Sequence, residues 1–401
     1  MALVVKKFGG SSVADAQKIF NVADIITAAY KSGNDVVAVV SAQGDTTDDL
    51  LEKAREINPF PSKREMDMLL STGEQISVSL LAMAIETLGF PVVSLTGWQA
   101  GMLTDSSYGS ARIKDINVER LRNELDKRNI VIVAGFQGVN KYEDITTIGR
   151  GGSDTSAVAF AAALKADVCQ IYTDVDGVYT SDPRLVKNAR KLDEITYDEM
   201  LELASLGAQV LCNRAVEMAK RYSMTIEVLS SFSGNPGTTV KEVAKMEKMM
   251  ISGVARDNNI SRVALLGLPD IPGVAYKIFS ALAQEKINVD IILQSIGRDN
   301  KKDISFTLSK DCAETAVRLL RNNQGLYGFE DINVCDTISK VSIVGAGMVN
   351  HPGIAASMFE ALSHAGINIH MISTSEIKVS VLIDSADSDR AVNAIHSKFF
   401  I

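Results

Sequence analysis

Histidine, cysteine and tryptophan are scarce in this chain, and each shortage removes a class of chemistry. Among 401 residues there are four histidines, four cysteines and one tryptophan. The histidines are His351, His364, His370 and His396. The long N-terminal part therefore has no imidazole for a Ser-His-Asp relay, an H-E-x-x-H zinc site or a histidine general base. Cys169, Cys212, Cys312 and Cys335 are widely separated and form neither a paired metal spacing nor a compact disulfide framework. A reduced, cytoplasmic protein is expected. An excess of positive charge is also missing. The formal net charge is −8, which argues against a general nucleic-acid or anionic-membrane partner. No apolar run reads as long enough to span a bilayer. In Met1-Ala2-Leu3-Val4-Val5-Lys6-Lys7 the basic residues follow the apolar ones, so the segment reads as a first strand rather than a signal.

What is present is an ordinary globular composition, 46% hydrophobic and 22% charged, in a chain long enough for two or three domains. Its most telling stretch is Thr146-Thr147-Ile148-Gly149-Arg150-Gly151-Gly152-Ser153-Asp154-Thr155-Ser156. It follows the apolar run Ile130–Phe136, of the kind buried in a parallel sheet, and precedes an Ala-rich helix at 157–164. Glycines let backbone approach a ligand, Ser153 or Asp154 can cap the helix, and the helix N-terminus attracts anions beside Arg150. Taken alone, the stretch reads equally well as a capped surface loop.

A second glycine turn, Lys7-Phe8-Gly9-Gly10-Ser11-Ser12, follows Leu3–Val5 and opens a helix from about residue 14 to 30. It lacks the Walker A spacing. The strand Asp35–Val40 opens into Ser41-Ala42-Gln43-Gly44-Asp45-Thr46-Thr47-Asp48, at the strand end where open α/β sheets bind ligands. Glu74, in Ser71-Thr72-Gly73-Glu74, reads as lying near the start of an apolar helix running to Leu88, where the helix dipole accounts for it without any function. The alternation of strands and helices points to a doubly wound sheet. The strand at 167–172 leads into Thr173-Asp174-Val175-Asp176-Gly177-Val178-Tyr179 and on to Arg184, a nucleotide-edge loop rather than a calcium loop. A long helical region from about 197 to 221 follows.

From Ile251 an internal repeat appears at an offset of about eighty residues. Val263-Ala264-Leu265-Leu266-Gly267 echoes Val341-Ser342-Ile343-Val344-Gly345, and Pro272-Gly273-Val274-Ala275 echoes Pro352-Gly353-Ile354-Ala355. Each copy reads strand, Pro-Gly loop, helix, strand, strand, helix, the ferredoxin-like plan. Gly345-Ala346-Gly347 is not a dinucleotide fingerprint, because Asn350 stands where the third glycine belongs. Two glycine turns, Lys7, Arg150 and clustered acids suit phosphoryl transfer, where positioning and charge neutralisation do most of the catalysis. A carboxylate acceptor is already ionised and needs no base.

Taken together, Lys7-Phe8-Gly9-Gly10-Ser11-Ser12, Ser71-Thr72-Gly73-Glu74, Gly149–Asp154 and Thr173–Tyr179 resemble the aspartate kinase family over essentially the whole chain. The resemblance implies an α/β amino-acid-kinase domain at 1–240, with a mostly parallel sheet flanked by helices. Two ferredoxin-like βαββαβ ACT domains would follow at 251–335 and 341–401. It implies phosphorylation of the β-carboxylate of L-aspartate by ATP, with Mg2+ carried by the nucleotide and no metal site of the protein's own. That is the committed step towards lysine, threonine and methionine. Lys7, Arg150 and Asp154 would be catalytic. Lys7, Phe8, Gly9, Gly10, Ser41, Thr173, Asp174, Tyr179 and Arg184 would bind ATP. Thr47, Glu74, Arg150, Gly151, Gly152, Ser153 and Asp154 would bind substrate, Arg150 taking the α-carboxylate and Glu74 the α-ammonium. Lysine, threonine or both would act as effectors at Asp270, Ala275, Asn288, Asp290 and Gln294 in the first copy, and at Ile354, Ala355, Asn368, Ile369, Ser375 and Glu376 in the second. ACT pairing would give a homo-oligomer. Met246, Met249 and Met250 offer internal starts for a separate ACT-only chain and so a mixed tetramer. Sister amino-acid kinases acting on glutamate, acetylglutamate or carbamate, and a non-catalytic amino-acid sensor, are the competing readings.

Overall fold

The computed structural model describes residues 2–206, 210–243, 250–297 and 299–400. Met246 and Met249, two of the candidate internal starts, lie outside them. The chain divides into two compact units: residues 1–179 with 191–246, and residues 180–190 with 247–401.

The first unit runs β1 (Leu3–Phe8), α1 (Ala16–Lys31), β2 (Asp35–Val40), α2 (Thr46–Ile57), α3 (Lys63–Thr87), β3 (Val92–Leu95), β4 (Met102–Thr104), β5 (Ile113–Ile116), α4 (Glu119–Asp126) and β6 (Ile130–Ala134). It continues with β7 (Gln137–Val139), β8 (Ile145–Thr147), α5 (Gly152–Leu164), β9 (Val168–Thr173), β10 (Glu194–Thr196), α6 (Tyr197–Ser205), α7 (Asn213–Tyr222), β11 (Ile226–Ser230) and β12 (Thr238–Lys241). The main sheet has the order β10-β12-β11-β9-β1-β2-β6-β3, and only β11–β12 pairs antiparallel. The apolar runs of β2 (36–40) and β6 sit next to each other as inner strands, between β1 and the edge strand β3, and are buried on both faces. From β1 the chain proceeds to β2, β3 and β6 on one side, then returns to β9 on the other. That reversal beside β1 leaves a crevice at the strands' carboxyl ends.

Three local expectations need correction. Glu74 is not in the first turn of its helix: α3 begins at Lys63, with Ser62 as N-cap accepting from the Glu65 N–H, a Ser-x-x-Glu pattern that starts the helix eleven residues earlier. This 25-residue helix also meets the length and hydropathy of a membrane span, contrary to the reading that no run does. It buries Asp67, Ser71, Glu74 and Ser77 along with Val78, Leu81 and Ile85, as a core helix would. The helical region at 197–221 is two helices, α6 and α7. The hairpin β7–β8 separates β6 from the glycine loop, yet the Ile148 N–H donates to the Phe136 carbonyl (2.8 Å) and brings the loop back to the end of β6.

The second unit runs β13 (Gly253–Asp257), β14 (Ser261–Pro269), α8 (Val274–Gln284), β15 (Ile292–Gln294), β16 (Lys301–Leu308), α9 (Lys310–Asn322), α10 (Gln324–Tyr327), β17 (Asp331–Cys335), β18 (Ile338–Val344), α11 (Ile354–His364), β19 (Met371–Thr374), β20 (Lys378–Asp384) and α12 (Ser388–Phe400). Both repeats form four-stranded antiparallel sheets, β15-β16-β14-β17 and β13-β18-β20-β19. The helix N-caps Gly273 (φ +93°) and Gly353 (φ +96°) match between copies. One difference is topological. The first copy supplies its own fourth strand, β17, whereas the second ends at α12 and takes β13 along the edge of β18. β13 lies in the stretch the sequence places in the first copy. It covers a sheet edge that would otherwise present unpaired backbone groups.

Candidate active site

Alternation along β1 sends its two lysines to opposite faces. Lys6 is buried, donates to Gln170 Oε1 and to the Tyr172 hydroxyl (3.0 Å), and is lowered to about 8 by burial, with Glu227 opposing. Lys7 faces α5, where its Nζ lies 2.7 Å from Asp154 Oδ1. Both members of that pair are nearly buried, so the attraction is less screened than at a surface. Phe8 is fully buried and its ring stacks on Tyr172 at 4.7 Å between centroids. The following turn is joined to the turn after β2: Gly44 N–H donates to the Gly10 carbonyl (3.1 Å), and a methyl group on Gly10 would lie 2.5 Å from the Ala42 carbonyl oxygen. Only glycine allows that approach. Ser41 is half-buried on the same turn, and Thr47 is half-buried in the first turn of α2 that follows it.

Glu74 comes to this turn from the middle of α3. The Ala42 N–H donates to its Oε1 (3.2 Å), while Oε2 is buried and accepts nothing among the described residues. Burial pushes its carboxyl up to about 7, against the Ala42 N–H, which favours the charged form.

The glycine loop differs from expectation in its cap. Gly151 (φ +70°) is the N-cap of α5, and Ser153 and Asp154 stand inside the first turn, with no side-chain cap. Gly152 is buried, Gly151 is exposed, and Ser153 packs against Gly135 at the end of β6. The Gly152 N–H donates to the Gly149 carbonyl (2.9 Å), no side chain caps the helix, and Asp154 turns back to Lys7. Arg150 is exposed, and among the described residues nothing pairs with its guanidinium. Three residues that sequence reasoning missed hold this loop from behind. Asp67, buried on α3, accepts from Gly109 N–H, Thr147 N–H and Thr147 Oγ1. Arg214 on α7 donates to the carbonyls of Ile148 and Ala111, and Cys212 packs against Gly151. An acid two helical turns before Glu74 on an apolar helix was a signal for Asp67. For Arg214 and Cys212 the sequence carries none.

At the β9 end, Thr173 Oγ1 donates to Asp174 (2.8 Å), the Tyr179 hydroxyl donates to Asp176 (2.7 Å), and Ser231 N–H donates to the Thr173 carbonyl (3.0 Å). A cavity of about 500 Å3 opens beside Tyr172, lined by Asn21, Asp24 and Ser230–Asn235. Lys7, Phe8, Gly9, Gly10, Ser41, Thr47, Glu74, Arg150–Asp154, Thr173, Asp174 and Tyr179 all belong to the first unit. Arg184 does not join them. It belongs to the second unit, fully exposed and paired with Asp182.

In the second unit, Asp270 pairs with Lys302 (2.8 Å), and Asp290 pairs with Lys340 of the other copy (2.5 Å). Ala275, Ile354 and Ala355 lie in the first turns of α8 and α11, Gln294 is exposed on β15, and Asn288, Asn368, Ser375 and Glu376 are exposed turn residues beside half-buried Ile369.

A parallel sheet with glycine turns, a lysine–aspartate pair and a helix N-terminus without a side-chain cap at its switch point defines a phosphotransferase of the amino-acid-kinase class. Residues 2–230 match the amino acid kinase family, and residues 263–324 and 341–399 match the ACT domain. Over 405 aligned residues the chain is 54% identical to the aspartokinase of Mycolicibacterium smegmatis, covering all of this chain and 96% of that one. Among solved structures, it superposes on aspartokinase III of E. coli in complex with aspartate and ADP with a TM-score of 0.84, at 26% identity and full coverage of both chains. The same enzyme in complex with lysine and aspartate gives 0.76, also at 26% identity and full coverage of both. The chain belongs to the aspartokinase family. It transfers a phosphoryl group from ATP to the β-carboxylate of L-aspartate, under allosteric control by its ACT domains.

Proposed function

We propose that Lys7, Gly9 and Gly10 bind the ATP phosphates while Glu74 and Arg150 hold the two ends of the aspartate zwitterion. The observation that carries this reading is the nearly buried Lys7–Asp154 pair at the switch point. Lys7 neutralises charge as it builds on the transferring group, and Asp154 keeps the ammonium aimed into the crevice. The α-ammonium supplies the donor that Glu74 Oε2 lacks, and the α-carboxylate takes the unpaired fork of Arg150. Gly151, Gly152 and Ser153 contribute the helix N-terminus, and Ser41 and Thr47 line the turn opposite. The β-carboxylate is then left to attack the γ-phosphorus, with ADP departing and an acyl phosphate formed. Mg2+ arrives with the nucleotide. Thr173, Asp174 and Tyr179 contact the nucleotide.

Lysine, threonine or both bind at the matching turns of the two ACT copies, and paired ACT sheets make the active enzyme a homo-oligomer. The lysine complex of the E. coli neighbour supports lysine as one effector. The four free cysteines support a cytoplasmic location. The test traps the acyl phosphate with hydroxylamine in the presence of MgATP and L-aspartate, then adds lysine, threonine and the two together. Lys7→Met is expected to lower kcat by about a hundredfold or more. Arg150→Ala is expected to raise chiefly the aspartate KM. Hydroxamate formed at an undiminished rate by Lys7→Met rejects the assignment of Lys7, and inhibition by neither amino acid rejects the effector assignment.

A further inference from the structure

Arg150 sits two residues beyond Ile148, between Gly149 (φ +90°) and Gly151 (φ +70°). Both glycines occupy left-handed backbone conformations, so the loop's course depends on what grips its root. The grip comes from two helices. Asp67 on α3 takes both the N–H and the hydroxyl of Thr147, and the Gly109 N–H as well. From the opposite side the Arg214 guanidinium spreads over two strands of chain. Its Nη1 donates to the Ile148 carbonyl (2.8 Å) and its Nη2 to the Ala111 carbonyl (2.7 Å). These two segments are themselves joined, since the Ala111 N–H donates to the Thr147 carbonyl (2.9 Å). A planar fork bridges two fixed carbonyls; an ammonium, a point donor, does not do so in one geometry. Two residues before Arg214, Cys212, the N-cap of α7, closes the space beneath Gly151, so the start of α7 touches the loop on both sides of Arg150.

We propose that Arg214 is a positioning residue for L-aspartate, holding the Ile148 carbonyl so that Arg150 meets the α-carboxylate. This rests on the assignment of Arg150 made above. Lys7 is carried on β1, and the Gly9-Gly10 turn is tied to the turn after β2. Neither bonds Arg214, and Lys7 meets this region through Asp154, which lies inside α5 beyond the loop, so the nucleotide side depends on Arg214 less than Arg150 does. A cavity of about 490 Å3, lined by Ile113, Ala159, Met218 and Tyr222 together with Arg214, gives a small solute access to the same point.

The experiment compares Arg214→Ala, Arg214→Lys, Arg150→Ala and the Arg150→Ala/Arg214→Ala double variant, with thermal melts alongside. Arg214→Ala is expected to raise the aspartate KM by on the order of tenfold to a hundredfold, the range a displaced binding group produces, with the ATP KM within about twofold. Added guanidinium ion is expected to lower that KM again in Arg214→Ala and to have no such effect in the unaltered enzyme. Arg214→Lys is expected to retain the defect with a nearly normal melt, which keeps the test open if the alanine variant folds poorly. The double variant is expected to be no worse for aspartate than Arg150→Ala, because the effect passes through Arg150. Multiplying defects, an equal rise in both KM values, or an unchanged aspartate KM in Arg214→Lys overturns the proposal while leaving Arg150 in place. An unchanged aspartate KM in Arg150→Ala overturns the Arg150 assignment itself, and this inference with it.

Discussion

Glu74 keeps one carboxylate oxygen unpaired inside the protein, and this sets how the enzyme responds to pH. Its folded carboxyl is raised from 4.5 to about 7 by burial. Between those values the folded chain holds a proton that the unfolded chain has released. This contribution to stability is complete below about pH 4.5 and declines as pH rises through about 7, by at most ~3 kcal/mol. In the proposed binding mode aspartate reverses the preference, because its ammonium favours the ionised form. The aspartate KM is therefore expected to climb as pH falls below about 7, while the ATP KM stays level. Glu74→Gln is expected to flatten that profile, raise the aspartate KM throughout and stabilise the ligand-free protein at pH 8 but not at pH 5. Initial rates at saturating MgATP and urea melts at the two pH values check both halves. In the sequence, the Ser-Thr-Gly-Glu setting singled Glu74 out as a candidate. Its burial was not legible, because the cap that starts α3 lies on the far side of a polar stretch, Lys63–Glu65, that reads as loop.

At the scale of elements, the strongest local signals were read correctly, while the start of α3, the break between α6 and α7 and the cap of α5 were not. Buried central strands announce themselves as unbroken apolar runs, as in β2 and β6, and the ferredoxin-like copies announce themselves by repeating, down to the paired caps Gly273 and Gly353. Elements defined by partners distant in sequence did not. The three-residue strands β7 and β8 are too short to carry a period, and α7 meets the catalytic loop only through tertiary packing. Gly151 lies where these two levels join. Its φ of +70° disfavours any L side chain, and a β-carbon there would stand 2.6 Å from Cys212 Cβ and Sγ. Gly151→Ala is expected to lower stability by roughly 1–2 kcal/mol and to raise the aspartate KM more than the ATP KM. The urea midpoint and paired KM measurements test this, and Cys212→Ala, which retains the obstructing Cβ, is not expected to restore binding.

Across the whole molecule, the sequence suggested a kinase domain at 1–240 followed by ACT domains at 251–335 and 341–401, but the contacts divide the chain differently. Residues 180–190 leave the kinase unit and pack with the second ACT copy: Val186 is buried among Val254, Ile343, Ile395 and Phe400. The Val254 N–H donates to the Thr180 carbonyl, Thr180 Oγ1 bonds the buried His396 (2.9 Å), and Asn393 donates to the Leu185 carbonyl. No local period can disclose a pairing across two hundred residues. A chain ended after Val243 would leave this segment, which continues directly from Tyr179, without its apolar support. Such a shortened enzyme is expected to have a higher ATP KM, with less change for aspartate, and to aggregate more readily than the full chain. Steady-state kinetics and light scattering at matched concentrations decide it.

The borrowed strand β13 changes what the word tandem means for the two regulatory copies. Written as a sentence, the chain opens the second copy, interrupts it with a parenthesis that contains the whole first copy, and only then finishes it. Excising the parenthesis leaves a grammatical remainder, whereas deleting the outer clause strands the inner one. Along the backbone, news of an effector in the first copy has no route back to the kinase except through the copy that encloses it.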